Sequence, residues 1–312
     1  MTKPRILFMG TPAFALPALD TLHAQSYPIV AVVTQPDRPA GRGQKEIAPP
    51  VKQLALQFGL PVLQPQKVKD RDFLEALAAL NPEMIVVAAF GQILPKAILE
   101  FPRLGCLNIH PSLLPEYRGA APLNWSIIRG EAKTGVTIML MDEGMDSGDI
   151  LMQEETPLAP DETVGLLHDR LADIGATLLI KTIEQVVAGT AHRQKQDPAG
   201  VTFAPRLTKE TGKINWRNSA ADIVNLIRGL SPAPAAYTFL EGQALKIFLA
   251  EARLEQVDRP PGTIGAASAA GLPVAASDGY VLLKDVQLAG KRRMLIGDFL
   301  RGYRVGTGSI AG

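Results

Sequence analysis

Cysteine, histidine and aromatic residues are scarce in this 312-residue chain. It has one cysteine, four histidines and 5% aromatic side chains. A single cysteine cannot form an intrachain disulfide, which fits a reducing compartment. The sequence also lacks a His, Cys and carboxylate cluster with the spacing of zinc ligands, so no metal is predicted. Cys106 lies in an apolar run, and we interpret it as a small buried side chain rather than a nucleophile.

Long apolar runs are absent as well. The longest uncharged apolar stretch, 84–95, is too short to span a bilayer. Lys3 and Arg5 precede an apolar segment, as in a signal peptide, but Gly10 and Pro12 interrupt that segment as a strand followed by a turn would. We therefore expect a soluble, cytoplasmic protein with no membrane contact.

The first 190 residues alternate between strand-like and helix-like patterns. Short apolar runs at 6–9, 29–34, 84–89 and 106–110 are separated by segments with helical character. Continuous apolar strands joined by helices are typical of a mostly parallel sheet that is covered on both faces. This part of the chain therefore predicts an α/β domain.

The pattern changes after a polar stretch at 190–208. One helix at about 220–230 is followed by short strands with turn residues between them, which is typical of a small barrel or sandwich. Up to Gly200 the chain has 18 Lys and Arg against 22 Asp and Glu, and beyond it 14 against 9. A basic last third suggests a polyanionic partner, although a difference of this size can also arise by chance.

Asn108, His110 and Asp146 are the most informative residues. The period of two in a strand places Asn108 and His110 on one face, about 7 Å apart, and Pro111 ends the strand. Asp146 lies in a later acidic loop punctuated by glycine. Amide, imidazole and carboxylate without a serine or cysteine nucleophile suit direct transfer of an acyl-type group. A structural histidine and a self-capping acidic turn remain the alternatives.

Three segments resemble known ligand-binding motifs without matching them, whereas one basic segment remains a candidate binding site. Residues 10–13 lack the three-glycine dinucleotide pattern, 41–45 lack the spacing of a phosphate loop, and 142–149 do not match a calcium-binding loop. By contrast, residues 37–45 contain three cations and two glycines. Such a basic loop at the ligand edge of a sheet could clamp a polyanion, and a solvated surface loop is the alternative.

At these residues the sequence resembles the 10-formyltetrahydrofolate-dependent formyltransferases. The resemblance extends essentially from end to end, and the run 112–115 with 117–119 is highly specific. It implies a Rossmann-like formyltransferase domain over 1–189, a linker over 190–208 and an OB-like β-barrel over 209–312 that helps to hold tRNA.

Two positions depart from the family pattern. Glu116 stands where a basic residue is common, and Ala233 stands where an aromatic residue is usual. Both departures leave the chemistry of the expected site unchanged.

The resemblance implies transfer of the formyl group of 10-formyltetrahydrofolate to the α-amine of methionine carried by initiator tRNA. Asn108, His110 and Asp146 match the family's catalytic residues. In that role Asn108 and a protonated His110 would stabilise the oxyanion of a tetrahedral intermediate. Asp146 would orient the imidazole and raise its pKa, or accept the proton of the amine. A monomer is expected.

Two sets of binding residues follow from the same resemblance. The folate co-substrate is expected at Ser112, Leu113, Leu114, Pro115, Phe90, Gly91, Ile93 and Asp142. Cations expected to face the phosphates of tRNA are Arg38, Arg42, Lys45, Lys209, Lys213, Lys246, Lys291, Arg292 and Arg293. The run 291–293 can equally be a solvated turn.

Other functions stay open at this point. They are a formyltransferase acting on a sugar nucleotide or a purine precursor, a 10-formyltetrahydrofolate hydrolase, and a non-catalytic folate- or RNA-binding protein. The basic segment and the basic last third favour tRNA over a small substrate. The intact set of Asn108, His110 and Asp146 favours an enzyme over a binding protein.

Overall fold

The structure is a computed structural model that describes residues 2–40, 45–268 and 270–312. The chain divides into two compact units. The first unit consists of residues up to 119, 134–156 and 168–203. The second consists of 120–133, 157–167 and 204–312, so two short segments that precede the polar stretch group with the last third of the chain.

The strands in the first half of the chain follow the apolar runs of the sequence. They are β1 (Ile6–Gly10), β2 (Ile29–Val33), β3 (Arg38–Ala40), β4 (Lys45–Ile47), β5 (Val62–Leu63), β6 (Met84–Ala88), β7 (Cys106–His110), β8 (Arg118–Gly119), β9 (Lys133–Leu140) and β10 (Ile150–Pro157). Seven of them form one sheet in the order β10-β9-β7-β6-β1-β2-β5. From β5 to β7 neighbouring strands are parallel, and β9 joins antiparallel to β7. Strands β1 and β6 are buried throughout, as expected for a sheet covered on both faces.

The helices begin and end where the sequence provides local signals. They are α1 (Leu16–Ala24), α2 (Pro50–Gln57), α3 (Arg71–Leu80), α4 (Lys96–Leu99), α5 (Pro122–Ile128) and α6 (Val164–Ala188). Proline occupies one of the first two positions of α1 and α2, where its missing N–H costs no hydrogen bond. Asn81 ends α3 in the left-handed conformation. The predicted α/β architecture is confirmed.

The carboxyl ends of β1, β6 and β7 meet at one edge of the sheet. The order of the strands reverses between β1 and β6, which is where open parallel sheets bind ligands. The Thr11 hydroxyl donates to the Phe90 carbonyl oxygen at 2.9 Å and so joins the segments that follow β1 and β6. This hydrogen bond therefore holds together two of the segments that form the ligand-binding edge of the sheet.

The second unit contains the antiparallel part of the chain. Strand β11 (Phe203–Ala204) begins at the last residue of the first unit. The elements that follow it are α7 (Ala220–Leu230), β12 (Ala236–Leu240), β13 (Gln243–Arg253), β14 (Leu272–Ala275), β15 (Tyr280–Leu288), β16 (Met294–Leu295) and α8 (Ile296–Gly302). The order β12-β13-β15-β14 is antiparallel, with β16 beside β15. The Ser219 hydroxyl accepts from Asp222 N and so caps α7. The predicted second domain of antiparallel strands is confirmed.

The described ends of the basic segment are short strands and not the open loop that its composition predicts. Strands β3 and β4 pair antiparallel, with Arg38 opposite Ile47 and Pro39 opposite Glu46. The prediction missed this pairing because each strand has three residues, too few for a period-two pattern to show. In the described part of the chain, no helix combines the length and the apolar character needed to cross a membrane.

Candidate active site

Asn108 and His110 project from the carboxyl end of β7, as the period of two in a strand predicts. Asn108 is half-buried and lies opposite Val87 of β6 and Met139 of β9. Its carboxamide makes no hydrogen bond with the residues that the structure describes. His110 is buried and lies opposite Thr137. The strand therefore presents an available amide donor beside a desolvated imidazole.

Both ring nitrogens of His110 face oxygen atoms. Nε2 donates to the Tyr117 carbonyl oxygen at 3.1 Å, and Nδ1 lies 3.7 Å from Asp146 Oδ1. The second distance is too long for a hydrogen bond, but it is within the range of an ion pair. A doubly protonated imidazole has one N–H donor for each of these two oxygen acceptors.

Burial nevertheless decides the resting charge of this ring. Desolvation lowers the pKa of His110 below its ordinary value, and the nearby Asp146 carboxylate and the Tyr117 carbonyl oppose this effect only in part. The lowered pKa favours a neutral ring in the free protein, whereas the resemblance implied a protonated His110. The sequence does not show how deeply the ring is buried. In a neutral ring with Nε2 bound to the Tyr117 carbonyl oxygen, the free lone pair is on Nδ1, which faces Asp146.

Asp146 reaches His110 from an exposed loop that is fastened at a few points. Its φ angle is 50°, in the left-handed region that non-glycine residues rarely adopt. Asp146 Oδ2 accepts from Gly119 N at 2.9 Å. A Cβ at Gly148 would overlap the Leu140 carbonyl oxygen, so glycine is required for the close approach of the loop to β9. The structure thus brings Asn108, His110 and Asp146 to one place, as the sequence analysis expected.

The run from Ser112 to Pro115 is held from the protein interior. The Thr137 hydroxyl donates to Ser112 O at 2.6 Å and accepts from Leu114 N at 3.1 Å. The Ser112 hydroxyl donates to Glu116 O at 2.6 Å. The side chains of Ser112 and Leu114 are buried, whereas those of Leu113 and Pro115 are half-buried. Only the latter two side chains of the expected folate-binding run are open to a ligand in this structure.

The segment that follows β6 provides an open apolar surface. Phe90 is buried, but the side chain of Ile93 is 89% exposed. Gly91 has φ 91° and open space where a side chain would stand. Asp142, in the acidic loop, is exposed and accepts from Gly144 N and from the Ser147 hydroxyl. An aromatic ring system could lie against Ile93 beside the free backbone of Gly91.

The expected phosphate-binding cations differ in how free they are. Arg42 lies outside the described residues, Arg38 is exposed in β3 and Lys45 begins β4. Exposed side chains without an ion-pair partner in the described chain are Lys209, Lys213, Lys291 and Arg292.

Two other members of that set are engaged within the second unit. Lys246 donates to Pro234 O at 3.1 Å. Arg293 pairs with Asp285 at 2.7 Å and lies over the Phe248 ring. Both therefore have less freedom to meet a phosphate than the unpaired cations.

Sequence reasoning missed two residues that shape the site. Tyr117 supplies the carbonyl oxygen that accepts from His110, and the side chain of Gln196 donates to the backbone carbonyl oxygen of Asp146. Tyr117 lies in the recognised run, but a backbone contact leaves no trace in a side-chain pattern. Gln196 is a single glutamine in a polar stretch, and no local signal distinguishes it.

The site and the fold together define a group-transfer protein, and comparison with known proteins gives its class. A family model described as formyl transferase matches residues 4–183, and one described as formyl transferase, C-terminal domain, matches residues 206–304. The chain belongs to the formyl transferase family, which confirms the resemblance drawn from the motif residues.

Relatives along the full length share one particular name, methionyl-tRNA formyltransferase. The relative from Syntrophus aciditrophicus is 56% identical over 312 residues, which is 100% of both chains. The relative from Geotalea uraniireducens is 49% identical over 100% of this chain and 99% of its own.

Solved structures resemble the fold at low sequence identity. WlaRD, a sugar 3N-formyl transferase crystallised with dTDP and 5-N-formyl-THF, superposes with a TM-score of 0.68 at 19% identity over 94% of this chain and 100% of its own. HypX from Aquifex aeolicus in complex with tetrahydrofolic acid gives 0.67 at 16% identity over 100% of this chain. The chain spans about half of HypX, with 51% of that protein covered.

Proposed function

We propose that this chain transfers the formyl group of 10-formyltetrahydrofolate to the α-amine of methionyl initiator tRNA. The observation that carries the proposal is the set of groups at the end of β7. Asn108 offers a half-buried carboxamide that no described residue engages, and His110 is held between a carboxylate and a carbonyl. Relatives at 56% and 49% identity bear the name of this activity.

The chemistry needs two things that these residues supply. Attack of the amine on the formyl carbon places negative charge on the formyl oxygen, and the Asn108 amide is the available donor for that charge; loss of one such donor typically costs about 10²–10³ in rate. The attacking amine must also lose a proton. Neutral His110 accepts it at Nδ1, where Asp146 at 3.7 Å stabilises the resulting imidazolium. The tetrahedral intermediate then collapses as the bond between the formyl carbon and N10 breaks, and the imidazolium returns its proton to N10, so that tetrahydrofolate leaves.

The folate co-substrate fits the open surface beside β6. The pterin would lie against Ile93 near Gly91, opposite the loop that contains Asp142 and Asp146. Leu113 and Pro115 are the members of the folate run with side chains within reach. The buried hydroxyl of Ser112 fixes the backbone of that run instead.

Recognition of tRNA is assigned mainly to the domain over 209–312. We assign the phosphate contacts first to Lys209, Lys213, Lys291 and Arg292, whose exposed charges have no ion-pair partner among the described residues. If residues 291–293 are instead a solvated turn, removal of their charges should have no effect on capture of tRNA. A substrate of translation places the reaction in the cytoplasm.

A direct assay tests the activity. The protein is incubated with 10-formyltetrahydrofolate and methionyl initiator tRNA, and formylmethionine is sought by mass spectrometry after release of the amino acid. A dTDP-linked amino sugar serves as the competing acceptor, because the fold is shared with a sugar formyltransferase. Formylation of the sugar and not of the tRNA would replace the proposed acceptor.

The phosphate contacts have a test of their own. Capture of the tRNA should weaken steeply as salt rises, since each neutralised phosphate releases counterions. The double variant Lys291→Gln, Arg292→Gln should reduce that salt slope. Arg293→Gln is the matched control, because Arg293 is already paired with Asp285. A slope unchanged by the double variant would support the solvated turn.

A further inference from the structure

Gln196 connects two parts of the candidate site from a position where no role was expected. It follows α6 in the polar stretch 190–208, yet its side chain is only 9% exposed. Its Nε2 donates to the carbonyl oxygens of Asp146 and Gly148, both at 2.8 Å. Its Oε1 accepts from Nε and Nη2 of Arg118 at 2.9 and 2.6 Å. Both ends of this one amide are therefore saturated.

The orientation of the amide follows from its partners. A guanidinium can only donate and a carbonyl oxygen only accepts, so the oxygen of Gln196 faces Arg118 and its NH2 faces the loop. Glutamate could serve Arg118 but not the two carbonyls. The site thus requires the amide as such, and a buried polar group with this many bonds is expensive to replace.

The acidic loop 142–149 has few other contacts that fix the position of Asp146. Asp146 has a left-handed φ of 50°, a conformation that persists only where the surroundings hold it. Residues 142–145 are exposed, and the hydrogen bonds of Asp142 stay within the loop itself. Besides the approach of its carboxylate to His110, Asp146 is tied to other elements of the described first unit by hydrogen bonds with Gly119 N and Gln196.

We propose that Gln196 is a positioning residue for formyl transfer, which holds the Asp146 backbone so that the carboxylate stays beside His110, with Arg118 as its anchor. The inference rests on the proposed function. Gln196 acts through Asp146 and touches no reacting atom. A displacement of the carboxylate by about 1 Å is enough to cost on the order of 10² in rate, because the reaction depends on prior alignment.

The central variant is Gln196→Glu, which keeps the volume and the acceptor for Arg118 but removes both donors to the loop. Its expected effect is a fall in kcat of about 10²-fold with little change in KM for 10-formyltetrahydrofolate. Gln194→Glu is the matched control. It introduces the same charge two residues away, at an exposed side chain whose backbone alone pairs with Ile150.

A double-mutant cycle separates positioning from general loss of structure. In an Asp146→Asn background, Gln196→Glu should cost far less than in the wild type, because the carboxylate that it positions is already gone. An equal loss of kcat in both backgrounds, or wild-type kcat in Gln196→Glu, would overturn the inference.

One readout does not depend on turnover. The pKa of His110, followed by NMR of the imidazole, should fall in Gln196→Met, which removes both donors to the loop without adding a charge, since the Asp146 carboxylate raises this pKa in the wild type. An unchanged pKa would contradict the inference even if the wild type formylated no tRNA. If the wild type fails to formylate tRNA while this pKa falls, the proposed function is wrong and the positioning contact stands.

Discussion

The run 112–115 and the acidic loop 142–149 both border His110, but they are held in opposite ways. The backbone of the run is held inside the protein by hydrogen bonds with the hydroxyl of Thr137 and the amide of Gln153, which also bind each other. The loop is largely exposed, and it reaches the site through the bonds of Gly119 and Gln196 to Asp146.

This difference separates stability from turnover. Buried hydrogen bonds beneath the run are part of the folded core, so their loss should lower the free energy of unfolding. The loop contributes little buried surface, so changes in it should affect alignment of the carboxylate instead. The two regions can therefore be told apart by which measurement responds.

The largest effect is expected at Asp146. Asp146→Asn should lower kcat by about 10²–10³-fold, because the imidazolium formed at His110 loses its counter-charge. Binding of 10-formyltetrahydrofolate and the melting temperature should change little. Glu143→Gln is the control, since this exposed residue pairs, among the residues that the structure describes, with Lys96 alone at 3.6 Å. Near-normal turnover in Asp146→Asn would remove Asp146 from the chemistry.

The next effect lies beneath the run. Thr137→Val should lower the free energy of unfolding by about 1–3 kcal/mol, because Leu114 N and Ser112 O lose a buried partner. Thr137→Ser keeps the hydroxyl and should retain most of that stability. Denaturant titration of both variants makes the comparison. If Thr137→Ser loses more stability than Thr137→Val, the methyl group and not the hydroxyl supports the run.

Much of this arrangement could be predicted from the sequence. A strand places alternate residues on one face, so the common face of Asn108 and His110 followed from their spacing alone. The apolar run around Cys106 predicted burial, and burial raises the pKa of its thiol to about 12. Such properties depend on near neighbours in the chain, which the sequence displays.

Other parts of the site depend on contacts that no local pattern encodes. Gln196 is 50 positions from Asp146 and 78 from Arg118. The lowered pKa of His110 arises from desolvation by elements distant in sequence, while the nearby carboxylate acts in the opposite direction. The buried hydroxyl of Ser112 likewise looks like a ligand in the motif, but it binds Glu116 O.

The charge of His110 gives a third prediction, smaller in size. Because the pKa of His110 is lowered, the acid limb of kcat/KM should lie below pH 6.5, with activity lost as pH falls and the ring becomes protonated. Asp146→Asn removes a carboxylate that raises this pKa, so the limb should move to still lower pH. Activity that instead falls as pH rises through 6.5 would show that the imidazolium is the working form.

The smallest effect is expected within the loop itself. Ser147→Ala removes two bonds to the Asp142 carboxylate, at 2.9 and 3.1 Å, in an exposed turn. The free energy of unfolding should change by no more than about 0.5 kcal/mol, as is usual for surface positions, and kcat should stay close to that of the wild type. Parallel assays of Ser147→Ala and Gln196→Glu make the comparison. An equally large loss of kcat in both would mean that the loop is held by its own bonds as much as by Gln196, and the contrast between a fastened run and a tethered loop would no longer hold.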